Sequence, residues 1–261
     1  MFHLLAYNKE RGDIMWTRSE LKTRAKAAIK ANYWKCLLVC IIFAVLSGNF
    51  LSVNVDYSTG QPFYTLDLGT ASSYVKYSII TISAFTGIML SILGLAFYLF
   101  VVNPLQVGKV RFFLENREAP TTLNALLYTF KQGDYLNIVK ILFKRDLFIF
   151  LWSLLFIIPG IVKGLEYSQI EYILAENPSI NSRRVFQITS EMTVGNRWDI
   201  FVLILSFIGW FLLGIFTCGI ASVLVMPYME ATYAELYIAL RDEYIDAGYA
   251  GFDEFPGFYR E

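Results

Sequence analysis

Apolar positions in this chain gather into long runs instead of alternating with polar ones. Residues 79–102 are 24 consecutive positions without a charge, and roughly 20 apolar residues suffice to cross a bilayer core about 30 Å thick. Residues 36–55 form a second uncharged run, softened at its far end by Asn49 and Asn54. Residues 200–229 are uncharged, and the helical pattern continues to 240. One helix of that length would measure roughly 60 Å, twice the bilayer core. A hairpin broken at Thr217-Cys218-Gly219 is therefore expected, with arms 200–217 and 220–240. The region 147–175 carries a Pro159-Gly160 break and charges at Lys163, Glu166 and Glu171. It reads as another hairpin, with arms 145–159 and 160–176 and its tip at Pro159-Gly160, either as two short tilted spans or as a re-entrant pair. These runs predict an all-α, polytopic transmembrane bundle of about six spans.

The basic residues orient that bundle. Eight Lys/Arg precede residue 36, the loop 56–77 has one, and 103–144 has six. Because cytoplasmic loops collect Lys and Arg, the amino terminus and the central segment are expected inside. Arg183, Arg184 and Arg197 mark a further inside segment, which requires an even number of crossings between Arg145 and Asn177. Both termini then face the cytoplasm. A single kinked helix at 145–176 would instead put Arg183 and Arg184 outside. No cleavable signal is visible ahead of the first span.

Three polar-faced segments precede the apolar runs on one plan. Thr17 to Ala31 reads as an amphipathic helix with Thr17 and Glu20 placed as a capping box, ending Asn32-Tyr33-Trp34. Thr121 to Gln132 ends Gly133-Asp134-Tyr135-Leu136, and Ser179 to Thr193 ends Gly195-Asn196-Arg197-Trp198. A three-fold repeat of interfacial helix plus hairpin is the expectation. Lys22, Lys26 and Lys30 stack at i, i+4 on the first such helix and are candidate contacts for anionic lipid headgroups.

Composition agrees with the pattern. Hydrophobic residues make up 56% of the chain and charged ones only 17%, against about 25% charged for an ordinary soluble domain. Cys36 and Cys40 lie one turn apart in an apolar run and, with Cys218, form no metal-ligand spacing, so they read as buried small residues.

The stretch Met15-Trp16-Thr17-Arg18-Ser19-Glu20-Leu21-Lys22, with Asn32-Tyr33-Trp34-Lys35, resembles the opening of an uncharacterised family of bacterial integral membrane proteins. It is catalogued as domain of unknown function family 975 and is found mainly in Gram-positive bacteria. The likeness continues through Ile158-Pro159-Gly160-Ile161-Val162-Lys163, Tyr172-Ile173-Leu174-Ala175-Glu176-Asn177-Pro178, Leu205-Ser206-Phe207-Ile208-Gly209-Trp210 and Pro227-Tyr228. A more distant similarity is to the membrane domains of some glycerophosphodiester phosphodiesterases, without their catalytic part. The resemblance implies a multi-pass protein of the bacterial cytoplasmic membrane with no established activity. Family members typically begin at the Met-Trp-Thr-Arg stretch, so residues 1–16 read as an extension, and translation starting at Met15 is the alternative to Met1. Residues 241–261 read as an acidic and aromatic cytoplasmic tail.

Candidate chemistry is sparse. The single histidine is His3, and there is no phosphate-binding loop, nucleophile elbow or dinucleotide fingerprint. Neither catalysis nor a cofactor or metal is expected, and scattered basic residues argue against nucleic acid. Charges at membrane depth cost about 2.5–3.5 kcal/mol each on insertion scales, so Lys163, Glu166 and Glu230 stand out as a candidate intramembrane polar site. Lys163 and Glu166, at i, i+3, can pair, and both are expected near the Pro159 tip. Glu171, Glu176 and Glu235 are expected at the interface. Gly87, Ser91 and Gly94, with Gly209 and Gly214, mark faces for close helix approach. The expected role is an envelope scaffold, sensor or modulator acting through membrane lipids, a protein partner or a second copy. The alternative is a transporter or channel for an ion or small polar solute.

Overall fold

The computed structural model describes residues 16–47, 72–131, 133–217 and 219–257, with backbone alone for 72–84 and for Phe252. The extension before Trp16, the loop expected between the first two spans, and Cys218 lie wholly or largely outside the described residues. Every regular element among the described residues is helical.

Helix α1 (Arg18–Lys30) starts at Thr17, whose backbone is extended and whose Oγ1 accepts the Glu20 N–H at 3.2 Å. Only half of the expected capping box forms, because the Glu20 carboxylate turns forward to Arg24 at i, i+4. Leu21, Ala25 and Ile29 are buried and lay α1 along the last helix of the chain. At Asn32 the chain bends by 99° into α2 (Tyr33–Leu46). Cys36 and Cys40 are buried and free, as small residues in an apolar run should be.

Helix α3 (Ser72–Phe97) passes through a π-turn at Tyr98–Val102 into α4 (Asn103–Glu118) without a break. Pro104 explains the π-turn. It donates no N–H to the Phe100 carbonyl, and a wider turn accommodates the ring. The freed Phe100 carbonyl accepts the Tyr135 hydroxyl instead, and the Pro104 carbonyl accepts Thr129 Oγ1 at 2.9 Å. Residues 103–118 are thus no loop. They form a largely buried helix, with Phe112, Phe113 and Leu114 inside. The segment 121–131, expected as an amphipathic α-helix, is a 3-10 turn (Leu123–Leu127) running into α5 (Tyr128–Lys131). It lies so close to α4 that a Cβ on Gly108 would sit 2.0 Å from the Leu126 carbonyl oxygen.

Helix α6 (Tyr135–Leu155) reverses at Phe156 into α7 (Ile157–Glu166). The return is antiparallel and tight: a Cβ on Gly160 would lie 2.8 Å from Ser153 Cα. The tip therefore falls at Phe156, three residues before Pro159. Pro159 sits in the first turn of α7, where no intrahelical partner for its N–H is needed. Helix α8 (Ile170–Glu176) and α9 (Ser182–Met192) follow, the latter capped by Asn181 Oδ1 accepting the Arg183 N–H. Helices α10 (Arg197–Leu205) and α11 (Ile208–Phe216) lead to a turn where Gly219 takes φ +89°, a conformation that favours glycine. Helix α12 (Ile220–Asp246) runs back into the core. Among the described residues, two stretches, Phe85–Glu118 and Arg197–Phe216, are long and apolar enough to cross a membrane, or three if α1 and α2 count as one bent span.

Three times a polar or short helical segment ends at Asn or Asp, which starts a rising helix. Asn32, Asp134 and Asn196 occupy this position, each accepting the backbone N–H four residues on. Two residues beyond the cap stands an exposed apolar side chain: Trp34 at 76%, Leu136 at 72% and Trp198 at 68%. Four and seven residues beyond, the side chains are buried: Cys36 and Val39, Ile138 and Ile141, Ile200 and Leu203. Asn32 is tied in further, its Nδ2 donating to Asn116 Oδ1 at 2.7 Å in the core, whereas Asp134 makes no side-chain cap bond. Asn32→Ala should cost about 1–3 kcal/mol, leaving the Asn116 acceptor buried and unpaired, while Asp134→Ala should barely matter. Thermal unfolding of both variants in detergent checks this, and equal loss in the two would contradict it.

The carboxyl-terminal segment is no free tail. Phe255 is fully buried, Glu254 pairs with Arg184 at 2.8 Å, and Asn177 Nδ2 donates to the Glu254 carbonyl at 3.1 Å. The Glu254 hydrogen bond holds the Arg184 guanidinium above its ordinary pKa, against the opposing effect of burial.

Candidate functional site

Helix α4 carries polar groups into the centre of the molecule. Gln106 Nε2 donates to both carboxylate oxygens of Glu171, at 2.6 and 2.7 Å. Glu171 is also paired with Arg145, which reaches Asp146 at 2.8 Å, and Asn103 Nδ2 donates to Asp146 at 2.7 Å. One turn further along, Lys109 Nζ meets Glu230 Oε1 at 2.6 Å and lies 4.4 Å from the Phe43 ring centroid. At the end of α4, Arg117 grips Glu235 with two hydrogen bonds, at 2.6 and 3.1 Å. Deeper still, Arg241 pairs with Glu176, which also accepts the Tyr237 hydroxyl at 3.0 Å.

The three residues singled out from the sequence do not form one site. Lys163 and Glu166 do pair, at 2.9 Å, and Glu166 takes a second cation, Arg197, at 3.0 Å. They sit at the base of the Phe156 hairpin and not near its tip, because α7 has nearly ended when it reaches them. Glu230 belongs to the separate Lys109 pair. Glu176, Glu235 and Glu171, the carboxylates expected at the interface, are all buried, as is Glu166. Their partners Arg117, Arg145 and Arg241, and Lys109, carry no pairing signal in the sequence, because a basic residue outside an apolar run reads only as a topology marker. The available signal is the helical pattern that can be followed through Glu118.

Chemically, the network is closed. Each buried carboxylate named above holds at least one cation at contact distance, so mutual attraction offsets desolvation, and none is left to bind a permeating ion without breaking a pair. Among the described residues, no group of three or more His, Cys, Asp or Glu is placed to hold a metal.

Of the expected small-residue faces, Gly87, Gly94 and Gly209 meet nothing within 4 Å, so they seat no helix of this chain among the described residues. Gly214 does work as expected, its Cβ position falling 1.9 Å from Ser222 Oγ across the hairpin.

Lys22 and Lys26 turn towards the α10–α12 hairpin. Lys22 is half-buried, its Nζ 4.6 Å from the Phe207 ring centroid, and Lys26 Nζ is 5.5 Å from that of Tyr228, while Lys26 and Lys30 are both exposed. A cavity of about 690 Å³ opens beside Lys26, lined otherwise by apolar and aromatic residues of α11 and α12. None of Lys163, Glu166 and Glu230 lines it.

Against known proteins, residues 154–243 match a family described as protein of unknown function (DUF975). That stretch runs from the Phe156 tip through most of α12 and includes the Glu176–Arg241 pair. No curated protein matches the chain, and no solved structure does.

Proposed function

We propose that this chain is a multi-pass protein of the bacterial cytoplasmic membrane, with both termini inside. In this reading it is a non-enzymatic scaffold, sensor or modulator of the envelope, acting through lipids or a protein partner. One observation carries the reading: the charges close on one another in the core, while the hairpin ends present bare hydrocarbon. Residues 154–158 are five consecutive apolar residues, all exposed, and Phe216 is 85% exposed. Water does not tolerate such contiguous apolar surface on a monomer, whereas acyl chains do.

The sequence count of six crossings becomes four crossings plus a re-entrant hairpin at 145–166. The returning helix α7 has 10 residues, about 15 Å and half the hydrocarbon core. Parity is unchanged, so a reporter fused at Ser182 should show a cytoplasmic location, as should one after Glu261. A Cys introduced at Ile157 should resist membrane-impermeant maleimide from both sides. An external Ser182 reporter would refute the topology.

The transport alternative asks Lys163, Glu166 and Glu230 to share a path, and their separate pairings argue against it. Proteoliposome flux tests it directly: ion or solute flux abolished by Glu166→Gln would restore it and displace the scaffold reading.

A further inference from the structure

We infer that the groove between α1, α11 and α12 is a binding site for an anionic phospholipid. One acyl chain would lie in the groove, with the phosphate at Lys26. The inference rests on the membrane reading above and deepens it by naming a ligand.

The groove has the size and asymmetry this occupant needs. Its volume of about 690 Å³ lies within the roughly 300–1,000 Å³ of typical ligand pockets. Trp210 and Leu213 of α11 and Ala221, Leu224 and Tyr228 of α12 line it, with Lys26 as its charged residue and no carboxylate. Along α12 these positions recur at i, i+3 and i+7, one helical face rising roughly 10 Å from Tyr228 beside Lys26 to Ala221 near the Gly219 turn. The walls are held in place. Tyr33 of α2 donates its hydroxyl to the Leu224 carbonyl at 2.8 Å, and the Gly214–Ser222 contact pins the two arms at the turn.

Charge selects the headgroup. Lys22 and Lys26 lie one turn apart on α1, and neither has a carboxylate within ion-pair distance among the described residues. The enclosed cations Lys109, Arg117, Arg145 and Arg241 all do. Lys26 is instead held over the ring of Tyr228 in the groove wall, which fixes positive charge at one end of an apolar slot. Lys22, one turn away on α1, lies over the buried Phe207 ring outside the lining. The flank beside the slot is itself exposed hydrocarbon, Leu212 and Ile220, so a bilayer lipid enters sideways.

The test uses the full chain in detergent micelles, titrated with phosphatidylglycerol brominated on its acyl chains. Trp210 fluorescence is isolated as the difference from Trp210→Phe. Bromine should quench Trp210, and Lys26→Gln should raise the half-saturating lipid concentration about fivefold, Lys26→Glu more. Phosphatidylcholine with the same brominated chains should quench only at higher concentration, and Leu224→Trp, which fills the slot, should abolish the specific phase. Equal quenching by both lipids, unmoved by Lys26→Glu, would overturn the site, as would no quenching. A dimer dissolved by Leu224→Trp would put a second copy in the groove and overturn it too. If the protein leaves membranes in alkaline carbonate and stays monodisperse without detergent, the membrane reading fails. Stable membrane residence without headgroup discrimination removes only the lipid site.

Discussion

Replacing Arg241 with Met should lower the thermal midpoint of the detergent-solubilised protein by on the order of 10 °C, corresponding to about 3–5 kcal/mol. The cause is the carboxylate left behind. Glu176 has a side chain 0% exposed, and without Arg241 it keeps the Tyr237 hydroxyl as hydrogen-bond donor and the charge of Arg111. Tyr237 is itself held by stacking on Tyr172, with ring centroids 5.2 Å apart, so the hydroxyl cannot be replaced by water without opening the core. Breaking one side of a buried pair costs more than the pair contributes, because a desolvated charge remains. Arg241→Met combined with Glu176→Gln should therefore recover most of the loss. If the double variant is no better than the single one, the damage comes from lost packing of the Arg241 stem. If the single variant is within about 1 kcal/mol of the parent, the pair is hydrated and the closed-network description fails.

The second large effect is steric. Gly108→Val should destabilise by about 1–3 kcal/mol or more, and Gly108→Ala by less, since alanine regains up to about 1 kcal/mol of helix propensity. A Cβ at 108 would lie 2.0 Å from the Leu126 oxygen, 2.7 Å from its carbonyl carbon and 3.1 Å from its Cα. These are backbone atoms and cannot rotate away, so the 123–131 segment must lift and the Thr129–Pro104 hydrogen bond goes with it. Gly87→Ala on α3 supplies the opposite sign. Nothing lies within 4 Å of that site, so the variant should gain a fraction of a kcal/mol from propensity alone. Thermal unfolding of the three variants side by side reads the result, and an unchanged midpoint for Gly108→Val would show that the segment is not packed as described.

The family match neither adds to nor subtracts from these expectations, because it carries no activity. It does cover both members of the Glu176–Arg241 pair, so the first experiment probes a feature within the shared stretch.

Particular elements show where sequence reasoning reached and where it stopped. Thr17 announces α1 because a hydroxyl before a periodic run satisfies an N–H within three residues. Cys36 and Cys40 read as buried because a small side chain in an apolar run has few other uses. The Asn or Asp before each rising helix is legible from the repeated turn pattern, although its side chain makes no cap hydrogen bond there. Pro159 was misread as a tip, since a proline marks either a break or the first turn after one, and only the partner arm decides which. Pro104 gives no sign in the sequence that the helix runs through it. The π-turn that absorbs it depends on Tyr135, which supplies a hydroxyl to the freed carbonyl across the fold.

The amino-acid sequence by itself determined the helical class, the apolar runs and the local starts and stops of helices, because periodicity, capping and chain breaking act over a few residues. Tertiary structure alone decided which charges are partners, that 103–118 is core, and that an apolar groove opens beside Lys26. Glu230 with Lys109, Glu235 with Arg117 and Arg241 with Glu176 join residues far apart along the chain. The energy of such a pair depends on how deeply packing removes water around it, and a single sequence does not encode that depth at either residue.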